Sequence, residues 1–363
     1  LLLVSFVHSQ NEASNWYFGN NAGINFDLST NTVTALTNGQ LATDEGCTSI
    51  SDGNGDLLFY TDGITVYNKN HQVMANGNGL KGNPSSTQSA IIIPKPQDSD
   101  IYYIFTVDTE FQGSLDEGFN YSEVDMTANG GLGTVTVNKN INLLNNTSEK
   151  LSAVLKDCQT ENIWVITFAD TNGGDLNNSI FAYEVTTTGV NTTPVISDLN
   201  ILVPERRGYL KISPDGTKIA CANIASGLYL FDFDTNSGQA SNAQQININL
   251  NPSGKTQRPY GVEFSPNSQI LYVSTYFETP QDDFNNAKNA FSSAIEIYEA
   301  YRSSISSEAS RISIFTNMDV LYSWLIDSYY KSNNMNYQYN DNPSNPFGVG
   351  FISTYDSNKE RVI

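Results

Sequence analysis

Apolar and polar positions alternate in short runs along most of this chain, and one pattern returns five times: an apolar strand, a tight polar turn, then a second strand rich in aromatics. The copies are CTSISDGNGDLLFYTDG (Cys47–Gly63), SAIIIPKPQDSDIYYIFTVD (Ser89–Asp108), LSAVLKDCQTENIWVITFAD (Leu151–Asp170), YLKISPDGTKIACAN (Tyr209–Asn223) and GVEFSPNSQILYVSTY (Gly261–Tyr276). Their turns lie roughly 43 to 62 residues apart, a spacing suited to repeated β modules with loops. The turn residues differ but all favour reversal: Asp52-Gly53-Asn54-Gly55, Pro214-Asp215-Gly216 and Pro266-Asn267-Ser268. Third strands are predicted at Ile64–Tyr67, Tyr121–Asp125, Ser179–Val185 and Leu228–Asp234, each leading into a more variable outer strand.

One four-stranded unit of this kind cannot bury both of its faces. Stacking units face to face buries them, and closing the stack into a ring protects the outermost faces. The expected fold is therefore all-β, a β-propeller of six or seven blades. A β-sandwich also needs many short strands, but it does not predict the same hairpin returning.

The pattern changes after Tyr276. Within Asp282–Ala309, Phe284, Ala287, Phe291, Ile295, Tyr298 and Tyr301 recur at spacings of three and four, which predicts a helix. A second helical stretch is expected over Asn317–Lys331, and Ser332–Pro346 is polar and irregular. Phe347-Gly348-Val349-Gly350-Phe351 then echoes Tyr260-Gly261-Val262-Glu263-Phe264. The expected organisation is a signal-peptide remnant at residues 1–10, blades over 11–276, a helical insertion over 277–346 and the start of a further blade at 347–363. The ring is thus expected to be incomplete in this chain. LLLVSFVHSQ is an apolar run too short to span a membrane; a buried first strand is the competing reading, and the abrupt change to polar residues at Asn11–Asn15 favours the signal.

Composition sharpens the picture. Charged residues make up only 15% of the chain, while 20 Tyr and 18 Phe accompany abundant Asn, Ser, Thr and Gly. That suits short strands and many turns. The net charge of −20 and the lack of any basic cluster beyond Arg206-Arg207 exclude a nucleic-acid groove. No segment is a candidate membrane span. Cys47, Cys158 and Cys221 form no disulfide framework, and the apolar settings of Cys47 and Cys221 predict buried free thiols.

Little in the sequence points to catalysis. With His8 in the signal remnant, His71 is the one remaining histidine, and VYNKNHQVMANG places it in a turn with no nucleophile elbow nearby. Asp44-Glu45 and Asp116-Glu117 are two acidic pairs that could face a central opening, although surface acidity is the favoured reading of both. The metal candidate is Asp52, Asn54 and Asp56, whose side-chain oxygens alternate with glycines as a Ca²⁺ loop requires. Gly63 stands where such a loop places its glutamate, and the same residues make a good hairpin, which is the favoured reading. Asp232 and Asp234 are a lesser candidate. The aromatics of Tyr102–Phe105 and Leu228–Phe231 alternate as core residues do.

Several stretches taken together resemble one known group. They are GCTSISDGNGDLLFYTDGITVYNKNHQVM (Gly46–Met74), SSTQSAIIIPKP (Ser85–Pro96), IYYIFTVD (Ile101–Asp108), YSEVDMTANGGLG (Tyr121–Gly133), GYLKISPDGTKIACAN (Gly208–Asn223), LFDFDTNSGQASN (Leu230–Asn242) and YGVEFSPNSQILYVS (Tyr260–Ser274). From about Asn15 to Tyr276 the chain resembles the N-terminal WD40-like propeller of large Bacteroidetes surface proteins. Those proteins carry PKD-type modules and a C-terminal gliding-motility-associated sorting domain of type IX secretion, type B. Two departures stand out: ITFADTNGG replaces the family's His and Trp near Phe168, and the further blades expected past Tyr276 are missing. The resemblance implies export, cell-surface display and covalent continuity with further C-terminal domains. It carries no catalytic residues over. The expected role is non-catalytic binding, adhesion or display towards an extracellular polymer or protein. The alternatives are a polysaccharide-acting propeller enzyme and a partner-docking component of a secretion or gliding complex, the latter through the helical segment around Phe291, Ile295 and Tyr298.

Overall fold

The turns decide where the strands end. In the computed structural model, which describes residues 11–27, 29–30, 32–109, 117–248 and 258–276, several hairpin turns share one chemical solution. A side-chain oxygen of the first turn residue accepts backbone amides two to four positions on. Asp52 takes those of Asn54 and Asp56 at 2.9 and 3.0 Å, and Asp157 those of Gln159 and Thr160 at 2.9 and 2.7 Å. Asp215 takes Thr217 at 3.0 Å and Asn267 takes Gln269 at 3.3 Å. Such turns satisfy amides that no strand can reach. They also explain part of the chain's acidity. Hydrogen bonds from Ser29 and Thr30 push the Asp27 carboxyl down to about 2. Thr160 and Ser237 hold Asp157 and Asp234 below their ordinary values in the same way. Because these carboxyls are lowered on folding, their stabilising contribution is present above the ordinary carboxylate range and is lost as pH falls through the folded values.

Among the described residues the turns separate 23 strands. The first sheet is β1 (Asn15–Phe18), β2 (Ala22–Asp27) and β3 (Thr32–Leu36) in meander order. The next two units are β4 (Thr48–Ser51) to β7, with β5 Leu57–Thr61, β6 Thr65–Asn68 and β7 Val73–Asn78, and β8 (Ala90–Lys95), β9 (Asp98–Val107) and β10 (Phe119–Asp125). The outer edge of β10 is covered by two short strands, β11 (Thr134–Val135) and β12 (Ile141–Leu144). A parallel pairing of Thr134 with Ala75 on β7 joins these two units edge to edge. The fourth unit is β13 (Leu151–Leu155), β14 (Ile163–Ala169) and β15 (Asn177–Thr186), again with a divided outer edge, β16 (Gly189–Val190) and β17 (Val195–Val203). The fifth is the meander β18 (Leu210–Ile212), β19 (Lys218–Asn223), β20 (Gly227–Asp234) and β21 (Gln239–Ile246). The sixth holds the hairpin β22 (Arg258–Phe264) and β23 (Leu271–Tyr276).

The units stack face to face in chain order, and the period-two alternation of side chains shows it directly. On β9, Tyr102 and Ile104 join Phe59, Val66 and Met74 of the unit before. Their neighbours Tyr103, Phe105 and Val107 join Val165, Phe181 and Tyr183 of the unit after. On β14, Val165 and Ala169 face back, whereas Trp164, Ile166 and Phe168 meet Leu210, Ile212 and Phe231. On β19, Ile219 and Cys221 face back while Ala220 and Ala222 meet Tyr260, Val262 and Phe264. The first sheet packs through Tyr17 on Tyr60, joined by Leu41 from the segment after β3. The first strands β4, β8, β13, β18 and β22 neighbour one another in turn, and β1 lies beside β4. The architecture is all-β and propeller-like.

The structure amends the sequence reading in two places. The β1–β3 sheet was not anticipated as a unit, because its strands are rich in Asn, Gly and Thr and β3 is almost wholly exposed. Cys221 is buried as expected, but Cys47 is only half-buried, lying just before β4 rather than within it. None of the three cysteines is in a disulfide. The expected signal remnant at 1–10, the helices over 277–346 and the further blade at 347–363 fall outside the described residues. Among the described residues no helix is long and apolar enough to cross a membrane.

Candidate functional site at the axial end

Each first strand is preceded by a short lead-in segment, and these segments converge. They are residues 43–47, 84–89, 147–150 and 205–209, together with the start of β22. Backbone hydrogen bonds link them from one sheet to the next. Gly46 N–H donates to the Ser86 carbonyl at 3.1 Å, Gln88 to Glu149 at 3.1 Å, Glu149 to Arg206 at 3.1 Å and Tyr209 to Tyr260 at 2.8 Å. Two glycines permit the approach. A Cβ on Gly46 would stand 2.1 Å from the Ser89 nitrogen. Gly208 has φ of +104°, and a Cβ there would lie 2.4 Å from the Ala222 carbonyl oxygen. Gly208→Ala is therefore expected to destabilise the fold by about 2–3 kcal/mol or more, read as a lowered urea midpoint with unchanged slope.

Side chains reinforce this lacing. Glu149 is buried, and its carboxylate accepts the Thr87 amide at 3.0 Å, the Thr87 hydroxyl at 2.8 Å and, on its other oxygen, the Thr109 hydroxyl. Lys150, fully buried, donates to the Arg206 and Arg207 carbonyls at 2.6 and 2.7 Å. Burial pushes its ammonium down from the ordinary lysine value, against the pull of Glu149 and Glu205. Arg207 grips Glu205 with Nε at 2.9 Å and Nη2 at 3.1 Å. Burial would raise the Glu205 carboxyl, but the Arg207 hydrogen bonds and charge prevail and hold it below its ordinary value. The Gln88 side chain spans three sheets, donating to the Leu210 carbonyl at 3.3 Å and accepting the amides of Leu210 and Leu151 at 2.8 and 3.3 Å. Lys211 on β18 meets Glu263 on β22 at 3.3 Å.

Glu45 completes the cluster. Its carboxyl lies 2.5 Å from the Tyr260 hydroxyl, which is also 3.3 Å from the Thr87 hydroxyl. Burial, with the charge of Glu149 adding to it, pushes the Glu45 carboxyl up to about 8, although the Tyr260 hydrogen bond opposes the shift. Burial and the Glu45 charge push Tyr260 well above the ordinary phenol value.

Of the sequence candidates, Glu45 belongs to this cluster, whereas its neighbour Asp44 is exposed. Glu117 pairs with Lys81 at 2.8 Å and donates its amide to Asp108; Asp116 lies outside the described residues. Asp52, Asn54 and Asp56 form the β4–β5 turn, where the Asp52 carboxylate holds two backbone amides and Asn15 donates to the Gly55 carbonyl at 2.8 Å. Among the described residues no group of three or more His, Cys, Asp or Glu is placed to hold a metal ion. Asp232 pairs with Lys218, and Asp234 caps its turn. His71 sits in the β6–β7 turn at φ of +59°, with its ring 3.2 Å from the Tyr60 hydroxyl and 2.7 Å from the Asn38 amide. The residues that sequence reasoning missed are Thr87, Thr109, Glu149, Lys150, Glu205, Arg207 and Tyr260. Except for Thr109, they share a position a few residues before, or at the start of, a first strand, and that recurrence was the available signal.

Comparison with known proteins adds little beyond this geometry. No family model matches the chain, and no curated protein matches it. Among solved structures, a proposed 6-phosphogluconolactonase from Bacteroides fragilis aligns over 71% of this chain and 72% of its own, at 11% identity and a TM-score of 0.37. A second, from Bacteroides uniformis, covers 70% and 76% at 14% identity and a TM-score of 0.34.

Proposed function

We propose that this chain is a β-propeller of six or seven blades that works as an extracellular binding and display module. The observation that carries the reading is the mutual engagement of the axial charges. Glu149 has both carboxylate oxygens on threonines of another unit, Lys150 is turned onto carbonyls, and Arg207 is closed on Glu205. A catalytic carboxylate needs an oxygen that faces substrate. Groups engaged in this way hold sheets in register instead, leaving outer strands and turns as the contact faces. The sequence resemblance supports export and surface attachment through C-terminal domains, and the ligand is then an extracellular polymer or protein.

One observation favours a second reading, a polysaccharide-acting enzyme. Glu45 and Glu149 lie in one cluster with Tyr260 and Thr87, and burial raises the Glu45 carboxyl, as a general acid requires. Titration calorimetry and reducing-end assays on the whole chain with a panel of soluble polysaccharides separate the two. The module reading predicts saturable binding with the polymer unchanged. New reducing ends that disappear in Glu45→Gln would establish the enzyme, and absence of binding to every polymer rejects the polymer ligand.

A further inference from the structure

The first sheet ends on an open strand. Among the described residues β3 pairs with β2 alone, and Thr32 to Ala35 are exposed, Val33 by 55%. The direction of its unpaired backbone groups follows from the register. Phe26 on β2 donates its amide to Ser14 on the β1 side. Val33 stands opposite Phe26, and Ala35 opposite Ile24. Partners of this kind in an antiparallel ladder point their backbone groups away from each other. Val33 and Ala35 therefore turn N–H and C=O outward from the sheet.

Other outer edges of the molecule are blunted, as edges ordinarily are. β7 is joined to β11, and β11 and β12 cover β10. β17 and β21 each carry a residue at positive φ, Asn200 at +52° and Asn242 at +54°, and each pairing shifts register. β3 has neither device. It also lacks the lysine or proline that guards an exposed edge: residues 28–43 read LSTNTVTALTNGQLAT, without a charged side chain or a proline. The first sheet is moreover one strand short. β3 stands third in its order, whereas β4–β7 and β18–β21 each run four strands in line.

We propose that β3 is a docking edge for a second copy of this chain, the two β3 strands pairing antiparallel about Thr34. Two-fold symmetry sets Thr34 on Thr34, and Val33 of each copy exchanges hydrogen bonds with Ala35 of the other. Each first sheet thereby gains its fourth strand, and the facing threonines add a cross-strand side-chain contact. Charge favours this occupant at this place. Two chains of net charge −20 repel each other, and the uncharged stretch around β3 is where they approach at least cost. A ladder this short buries less than a standard interface, so the dimer forms only at high protein concentration. Salt screens the repulsion and strengthens it.

Sedimentation velocity of the whole chain tests the proposal. The wild type is expected to be monomeric at ~10 µM and to shift towards dimer near ~1 mM, more so at higher salt. Val33→Pro removes an outward amide and leaves the β2–β3 ladder intact, so it should stay monomeric with a urea midpoint close to the wild type. Cross-linking gives a readout that does not depend on that variant folding. In a Cys158→Ser background, which removes the exposed thiol, Thr34→Cys should form a disulfide-linked dimer several-fold faster than Val137→Cys, at a side chain 95% exposed outside β3. A wild type that stays monomeric at the highest concentration and salt, or a Thr34→Cys that cross-links no faster than Val137→Cys, overturns the proposal and leaves the edge to an extended segment of a different protein. A dimer that persists unchanged in Val33→Pro places the interface elsewhere and overturns it as well.

Discussion

Glu149→Ala is expected to lower the unfolding free energy by about 3–5 kcal/mol. The carboxylate is buried and touches only groups from other units: the Thr87 amide, the Thr87 hydroxyl and the Thr109 hydroxyl. Removing it takes an acceptor from each of three donors on buried residues, and takes away a counter-charge near Lys150. Taking an acceptor from a buried donor costs more than the net worth of a hydrogen bond. Urea denaturation of the variant beside Glu149→Gln measures the effect. Glutamine keeps one acceptor oxygen and should fall between alanine and the wild type. A loss below about 1 kcal/mol for alanine would mean that the cluster does not hold the units together.

Phe105→Ala should be comparably severe, at about 3–5 kcal/mol. Phe105 is fully buried between the third and fourth units, its ring centroid 5.6 Å from Phe119 and 5.8 Å from Tyr121. Cavities between two sheets collapse poorly, because each strand is held by its ladder. The matched control is Val137→Ala, at a side chain 95% exposed, which should change stability by less than about 0.5 kcal/mol. Thermal or urea unfolding of both distinguishes inter-sheet packing from a general intolerance to truncation.

The hairpins were legible in the sequence because turn chemistry and period-two apolar runs are local signals. Asp215-Gly216 and Asn267-Ser268 mark reversals whatever lies around them. The alternation Tyr102, Tyr103, Ile104, Phe105 was legible as core, and the structure divides it between two interfaces as stacked sheets require. The β1–β3 sheet was not legible, since an exposed strand such as β3 carries no apolar alternation to read. The axial cluster was legible only at Glu45. Thr87, Glu149, Arg207 and Tyr260 are far apart in the chain, and what joins them is the convergence of lead-in segments, a property of the stack. Lys150 offered the least signal, because a lysine buried among carbonyls reads in sequence like any surface lysine. The Asp52 turn was legible as a hairpin, with a Ca²⁺ loop as the lesser reading, and the local geometry gives the Asp52 carboxylate two backbone amides to hold.

The central claim is that the lead-in segments, unlike ordinary loops, lock the stacked units together. Native-state hydrogen exchange of the amides of Gly46, Gln88, Glu149 and Tyr209 tests it most directly, since each donates across to another unit. The account predicts protection as strong as that of strands β8, β13 and β18, with exchange only through global unfolding. Exchange of these four amides at loop rates, while the strands stay protected, would contradict it.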